Sequence, residues 1–594
     1  MKITSHLSVV RKEQSMIIND AGTYTLKYTA TDSCGKTTEV DRELVVEENV
    51  PKRTVLYTDG TFIINEKQTD EAANIALHGA ATNVYTAFNP DGSTDAEKYI
   101  FNSDSDVLWV GEQSSIKSVK FGSKVKPTHM LRWFKRCNAL TSFDADNLDT
   151  SSVTDMSQLF NGCSSLTTLD LSTFDTGNAT HMVHMFYNCS SLTSLDLRSF
   201  NTSRVTTMNQ MFYNCAALTS VDVTSFDTGA VTNMNGMFEG CRSLTNLDVS
   251  GFDISSVGVM GSMFKGCEAL STIDTSNFIG NNVTTLNSTF MNCKALTSLD
   301  LSKFGAGSVQ NMYMTFNGCT SLASIDFTNF NTTSALTSLN STFLDCSSLT
   351  SLDLRSFDTS SVTNMFSTFM GCTNLASVDL SSFNTSSCTS MKQTFSGCKN
   401  LASLDLSTFN TSAVTNMEMM FYSCEKLTSL DLHNFNTGNV TNMGGLFDNC
   451  YLLVSLDISN FNTSKVTNMG NMFVRCYALA SLDVTSFDTS LVTNFGGMFN
   501  CCHALTTLDL SSFNTSSATV TGDMFRDCTL LTTIYASTSF TITQVSTYDS
   551  QYMFTDTTNI VGGAGTVWSS SYVGKQRAKI DGGTSNPGYF TAKS

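Results

Sequence analysis

The chain is poor in proline, tryptophan and charge. Its 594 residues include 4 Pro and 3 Trp, and 14% are Asp, Glu, Lys or Arg. So little proline excludes an extended Pro-rich stalk. No run approaches the roughly 20 consecutive apolar residues of a membrane-spanning helix, so no membrane insertion is expected. Positive charge is scarcest: 34 Lys and Arg stand against 52 Asp and Glu, a formal charge of −18. Nucleic acid is therefore not an expected partner, because phosphates are neutralised by Lys and Arg. Catalytic signatures are missing as well. There is no Walker-type Gly-rich loop and no nucleophile elbow. The 7 His are scattered, and His181 and His184 share one repeat without a third ligand. No enzyme, catalytic residue, cofactor-binding residue or cofactor is expected. Met1–Lys12 holds no apolar run, so no signal peptide is expected there, and no anchor is expected from the residues at the chain's end.

Cysteine, in contrast, is abundant and regular. Cys137, Cys163, Cys189, Cys215, Cys241, Cys267, Cys293, Cys319, Cys346, Cys372, Cys398, Cys424, Cys450, Cys476, Cys502 and Cys528 follow one another at intervals of 26 residues, except for one interval of 27 after Cys319. Only Cys34, Cys388 and Cys501 fall outside the series. A fixed period of this size is the mark of a solenoid. Successive turns of a parallel stack lie about 4.8 Å apart, within reach of a disulfide. Stacked thiols, however, point the same way into the core, so buried free thiols are expected rather than bridges. Zinc on this ladder is not expected either, because one Cys per repeat has neither a Cys-x-x-Cys pair nor a His partner.

One repeat, Cys189-Ser-Ser-Leu-Thr-Ser-Leu-Asp-Leu-Arg-Ser-Phe-Asn-Thr-Ser-Arg-Val-Thr-Thr-Met-Asn-Gln-Met-Phe-Tyr-Asn, sets the local reading. Counting Cys as position 0, Leu195 and Leu197 alternate at positions 6 and 8, a strand with one buried face. Met208, Met211 and Phe212, at positions 19, 22 and 23, have the spacing of one helical turn. Asn201-Thr202-Ser203 is turn chemistry. No single repeat can bury both apolar edges, so stacking must build a continuous core. The expected fold is a β-rich solenoid of leucine-rich-repeat type. Short parallel strands stack with one helical turn per 26-residue rung, and both ends are capped. The extra residue of the longer interval falls within Asn331–Leu336, in the turn, where insertion costs little.

Position 7 lies between two buried strand residues and must point outward. It is Asp at Asp144, Asp170, Asp196, Asp222, Asp248, Asp274, Asp300, Asp326, Asp353, Asp379, Asp405, Asp431, Asp457, Asp483 and Asp509, then Tyr535 in the last repeat. Positions 5 and 9 are mostly Ser or Thr, with Arg198, Arg355 and His433 as exceptions. Adjacent carboxylates about 5 Å apart repel by roughly 0.8 kcal/mol in water. Either hydroxyls and backbone N–H groups donate to them, or a row of cations such as calcium neutralises them. One carboxylate per repeat is a poor supply for an ion that takes 6–8 oxygens. The candidate binding residues are therefore the exposed ladder from Asp170 to Asp509, with no metal ligand assigned. Sequence variation gathers instead at positions 1, 2, 20, 21, 24 and 25, which carry Tyr187, Tyr213, Tyr422, Tyr451 and Tyr477.

The ends do not repeat. In residues 1–48, Gly22–Ser33 alternates with period two, a turn is expected at Cys34-Gly35-Lys36, and a strand resumes over Glu39–Val46. This resembles the end of a bacterial immunoglobulin-like module and is short for a complete sandwich, so the expectation is either a truncated start or another chain that completes it. Residues 49–53 read as a linker. Residues 54–136 read as an N-terminal cap with a degenerate first rung, in which Tyr57-Thr58-Asp59-Gly60-Thr61 signals a hairpin. Residues 137–528 are the solenoid, and 529–594 the last rung and C-terminal cap. Lys117, Lys120, Lys124, Lys126, Arg132, Lys135 and Arg136 form a basic cluster, read either as a solvated cap edge or as a docking face for an acidic partner.

The repeat pattern of Cys, Ser-Leu, Leu-Asp-Leu, Ser-x-Phe, Asn/Asp-Thr-Ser, Val-Thr-Asn-Met and Met-Phe resembles the BspA-like leucine-rich-repeat surface proteins. So do Leu56–Thr61, Gly562–Thr566 and Ile580–Thr591 at the ends, although Arg577-Ala578-Lys579 departs from the Tyr-Ala-Arg common before Ile-Asp-Gly-Gly. The resemblance covers about residues 54–594. It implies a non-enzymatic protein, extracellular or at the cell surface, that binds a host or neighbouring-cell surface protein or a glycan. A phage virion protein (tail fibre, receptor-binding or capsid decoration) or a structural spacer is the alternative expectation.

Overall fold

The computed structural model describes residues 22–31, 37–46, 53–66, 71–78, 80–86, 111–122 and 125–593. The chain divides into two compact units, Met1–Phe252 and Asp253–Ser594. Each is a β-solenoid with about 26 residues per turn.

In the first unit, strands Gly22–Thr31 and Thr37–Val46 pair antiparallel, with Tyr24 opposite Leu44; the turn expected at Cys34–Lys36 lies outside the described residues. A five-stranded sheet follows, in the order Ala81–Thr86, Arg53–Tyr57, Thr61–Glu66, Ser118–Phe121, Ser142–Phe143. The hairpin expected around Asp59-Gly60 forms, with Gly60 at φ +91° and the Asp59 carboxylate accepting the Thr61 N–H. Strand Thr61–Glu66 then pairs parallel with Ser118–Phe121, which pairs parallel with Ser142–Phe143. The hairpin is thus the template on which the first solenoid strand stacks, and its far edge is covered by Ala81–Thr86. The basic cluster lies at this start: Lys126 reaches Asp149 at 3.2 Å, while Lys124 is outside the described residues.

The solenoid turn has two backbone ladders. One is the short strand at positions 5–7, paired in register as in Ser298↔Ser324 and Asp300↔Asp326. The other runs through position 18, for example Asn416↔Asn442↔Asn468↔Asn494. Beyond position 18 the spacing of Met and Phe predicts a helical turn, and the structure differs. The N–H groups of Met443, Gly445, Phe447 and Asn449 donate to the carbonyls of Asn468, Gly470, Met472 and Val474 in the next turn. Leu446, Asp448 and Cys450 donate locally, to Met443, Gly445 and Phe447. The segment is a run of tight turns in which alternate residues bond up the stack, with left-handed residues at Gly445 and Asn449 (both φ 63°). A helix would have spent these N–H groups within its own turn; stacking puts them to use between turns.

The apolar columns form as expected. Phe421, Phe447, Phe473 and Phe499 stack at 5.7–5.8 Å between ring centroids. All sixteen ladder cysteines are buried and outside any disulfide. Each thiol from Cys163 to Cys528 whose contact is resolved, such as Cys476, donates to the carbonyl of the Phe one turn below, Phe447 at 3.3 Å. Burial pushes these thiols up, to about 12 at Cys215 and Cys424, which keeps them protonated and inert to oxidation near neutral pH.

One buried column was not apparent in the sequence pattern. The Thr of Asn-Thr-Ser points inward rather than capping its own turn. Thr411 is fully buried. Its hydroxyl donates to the Asn436 carbonyl at 2.9 Å and accepts the Asn436 N–H at 2.8 Å. The same pairing recurs in other turns, as with Thr150 and Asp175 in the first unit and Thr489 and Asn514 in the second, but Ile254, Gly280 and Ala306 stand at this position in three turns. The extra residue lies between Thr332, which still pairs with Asp358, and the buried Leu336. The insertion is confined to the turn and both flanking columns keep register.

The second unit ends in a three-stranded parallel sheet, Thr507–Leu510, Thr533–Ala536 and Phe590–Ala592. The chain terminus therefore supplies the strand that covers the last turn. The Asp581 carboxylate holds this closure. It is 9% exposed and accepts from the N–H groups of Ala564, Thr566, Gly583 and Gly588 and from the Thr566 hydroxyl. Gly562 and Gly588 pack so closely around it that a Cβ on either would lie 2.2–2.3 Å from a backbone oxygen.

Candidate functional site

In each unit the position-7 aspartates stand in single file on the strand face: Asp170, Asp196, Asp222 and Asp248 in the first, and Asp274, Asp300, Asp326, Asp353, Asp379, Asp405, Asp431, Asp457, Asp483 and Asp509 in the second. All fourteen accept the backbone N–H of the residue two further on, at 2.8–3.1 Å. This Asx turn ends each strand. It occupies Oδ1 in every copy and fixes the carboxylate's direction. Hydroxyls add to it at Thr224, Ser250, Thr328, Ser459 and Thr485. Local donors thus relieve the repulsion along the ladder.

The charge consequences follow the donors. The Arg198 guanidinium holds the Asp196 carboxyl down at about 2. The Ser459 hydroxyl and N–H hold Asp457 below the usual carboxylate range against the opposing charge of Asp431. Most of the file is exposed, up to 77% of the side chain at Asp431. The half-buried members are Asp222, Asp379 and Asp509. Each has a cation beside it: Arg198 lies 3.6 Å from Asp222, Arg355 lies 3.5 Å from Asp379, and Lys593 pairs with Asp509. Shallow grooves run along the file beside both arginines, one lined by Asp196, Asp222 and Asp248, the other by Asp300, Asp326 and Asp353. The ladder stops at Tyr535 because the terminal strand covers it; Lys593 lies over the Tyr535 ring.

The variable positions form a second set of columns, on the tight-turn segment. Neighbouring turns carry complementary side chains there: Lys294 with Glu268 at 2.7 Å, Lys399 with Glu425 at 2.9 Å, and Lys392 with Glu418 at 2.8 Å. Four of the five tyrosines singled out in the sequence stack on a neighbouring ring. Tyr187 lies on Tyr213 at 4.4 Å, and Tyr451, Tyr477 and His503 form a continuous stack at 5.1 and 4.7 Å. The signal for this pairing was in the sequence, as unlike charges or aromatics 26 residues apart.

The fold and this surface define a class: a repeat solenoid, each unit of which shows solvent a uniform acidic file. A family model described as "Mycoplasma protein of unknown function, DUF285" matches residues 128–245, 215–330, 274–352, 337–455 and 445–564. The chain belongs to this repeat family. A search of curated proteins finds no match.

Proposed function

We propose that this is a non-enzymatic binding protein of the BspA-like kind, acting at a cell surface and meeting a repetitive ligand through its aspartate face. The observation that carries the reading is the file itself. One carboxylate per turn, each locked by its own Asx turn, gives an evenly spaced acidic surface with Ser and Thr hydroxyls beside it. A single folded partner presents an irregular surface, and a binding site tuned to it would vary from turn to turn. A uniform file suits a polymer: a glycan, or a repetitive surface protein with evenly spaced donors. Pre-set carboxylates also lose little entropy on binding.

The test is binding of the full chain to a glycan array and to intact cells, beside a variant with Asp405, Asp431, Asp457 and Asp483 all changed to Asn. Loss of binding by at least tenfold in the variant, with an unchanged circular dichroism spectrum, supports the reading. Absence of binding by the parent chain, or equal binding by both, favours a spacer whose ends do the work.

A further inference from the structure

Within the second unit, one pair of adjacent turns breaks the column pattern in three places at once. Position 25 is Gly or Asn in most turns, as in Gly397 and Asn449, because the backbone there is left-handed. Cys501 occupies it with φ 61°, a conformation that costs a non-Gly residue free energy. Two residues on, position 1 carries His503, the one histidine in that column. Directly above Cys501, at position 25 of the next turn, is Asp527.

These three side chains converge. Cys501 Sγ lies 3.6 Å from Asp527 Oδ2, and His503 Nε2 lies 3.2 Å from the same oxygen. One ligand atom from each can lie within 4.8 Å of the other two. Tetrahedral zinc, with Zn–S about 2.3 Å and Zn–N and Zn–O about 2.0 Å, sets ligand–ligand edges of roughly 3.5 Å for S–O and 3.3 Å for N–O. Both separations match these edges. Tyr477 stacks on the His503 ring at 4.7 Å and fixes its plane. The two nearby cations are turned elsewhere, Arg475 to Asn449 Oδ1 and Arg526 to Asp523.

We propose that Cys501, His503 and Asp527 form a zinc site with three protein ligands and a fourth position open to solvent. Unlike the ladder thiols, Cys501 is only partly buried, so an ion can reach it. A nucleophilic Cys–His reading fits less well. His503 Nε2 faces Asp527 instead of serving the sulfur, and burial together with the Asp527 charge pushes the thiol up to about 11, the reverse of an activated nucleophile. Zinc would displace the thiol proton, so affinity should fall as the pH is lowered. This site is independent of the aspartate face and of the ligand proposed for it.

The experiment titrates the untagged, reduced, chelator-treated full chain with Co²⁺, then displaces Co²⁺ with Zn²⁺. The expected result is a thiolate-to-cobalt charge-transfer band saturating at one ion per chain. Zinc should abolish the band and raise the unfolding temperature. Cys501→Ser should remove the band. His503→Ala and Asp527→Asn should each weaken zinc at least tenfold, and His433→Ala, at the exposed His–Asp pair on the other face, should change nothing. Apo unfolding of each variant, compared with the apo parent, checks that the fold persists. No thiolate band, or zinc affinity unchanged in Cys501→Ser, overturns the proposal.

Discussion

At the scale of single residues, the most consequential side chain is Asp581. Burial alone would raise its pKa, but five donors outweigh that and hold it far below the usual carboxylate range. A carboxyl depressed in the folded state stabilises above its unfolded pKa, and that contribution is lost as pH falls through the folded value. Asp581→Asn is therefore expected to cost about 2–3 kcal/mol at pH 7, as hydrogen bonds to a charged acceptor are weakened. The gap between parent and variant should narrow steadily below about pH 4. Urea unfolding of both proteins at pH 7 and pH 3 measures it; an equal gap at both values would show that the charge is not what holds the closure. The motif Ile-Asp-Gly-Gly stood out in the sequence only as a resemblance. What it does became clear only when Gly562 and Gly588 were seen packed against the same carboxylate.

At the scale of the element, the stacking turn is held as much by polar columns as by apolar ones. Thr411 shows why. Its hydroxyl serves both the N–H and the carbonyl of Asn436 in a site without water-accessible surface. Thr411→Val keeps the shape and strands both backbone groups, at a cost of about 1–3 kcal/mol. Thr411→Ser keeps the hydroxyl and should cost less than half as much. Chemical denaturation of the two variants separates the polar contribution from packing; equal losses would assign the column to packing alone. This column also marks the limit of what the sequence discloses. The 26-residue period, the Leu, Phe and Cys columns and the outward Asp follow from alternation and spacing, because burial selects residue type directly. The inward Thr does not, because Asn-Thr-Ser reads equally well as surface turn chemistry. The run of tight turns after position 18 was hidden for a related reason. Met and Phe at spacings of three and four fit one face of a helix, and only the next turn reveals that the backbone bonds run between turns instead. The candidate surface was legible as a file of Asp, while its Asx locking and the Arg198 and Arg355 bridges required the geometry.

At the scale of the whole molecule, the question is how a stack of identical turns ends. An open solenoid end exposes unpaired strand groups and a cut core, which invites another chain to add on. In the second unit the terminal strand Phe590–Ala592 pairs with Thr533–Ala536, and Phe590 is buried against Phe525, Phe540 and Phe554. Removing residues 582–594 leaves the turns beneath intact but deletes that strand and one side of the Asp581 closure. The shortened chain is expected to keep its β-rich circular dichroism spectrum and to associate in a concentration-dependent way, seen as a rising mass by light scattering over a range of about tenfold in concentration. Placing Lys at Ile534 in the shortened chain should restore the monomer, since a charge directed at the exposed core blocks edge addition. If the shortened chain instead unfolds as a whole, the last strand is part of the folding unit and not only its cover. If it stays monomeric, strand Thr533–Ala536 is protected by its own twist and short length, and the terminal segment serves the Asp581 closure alone.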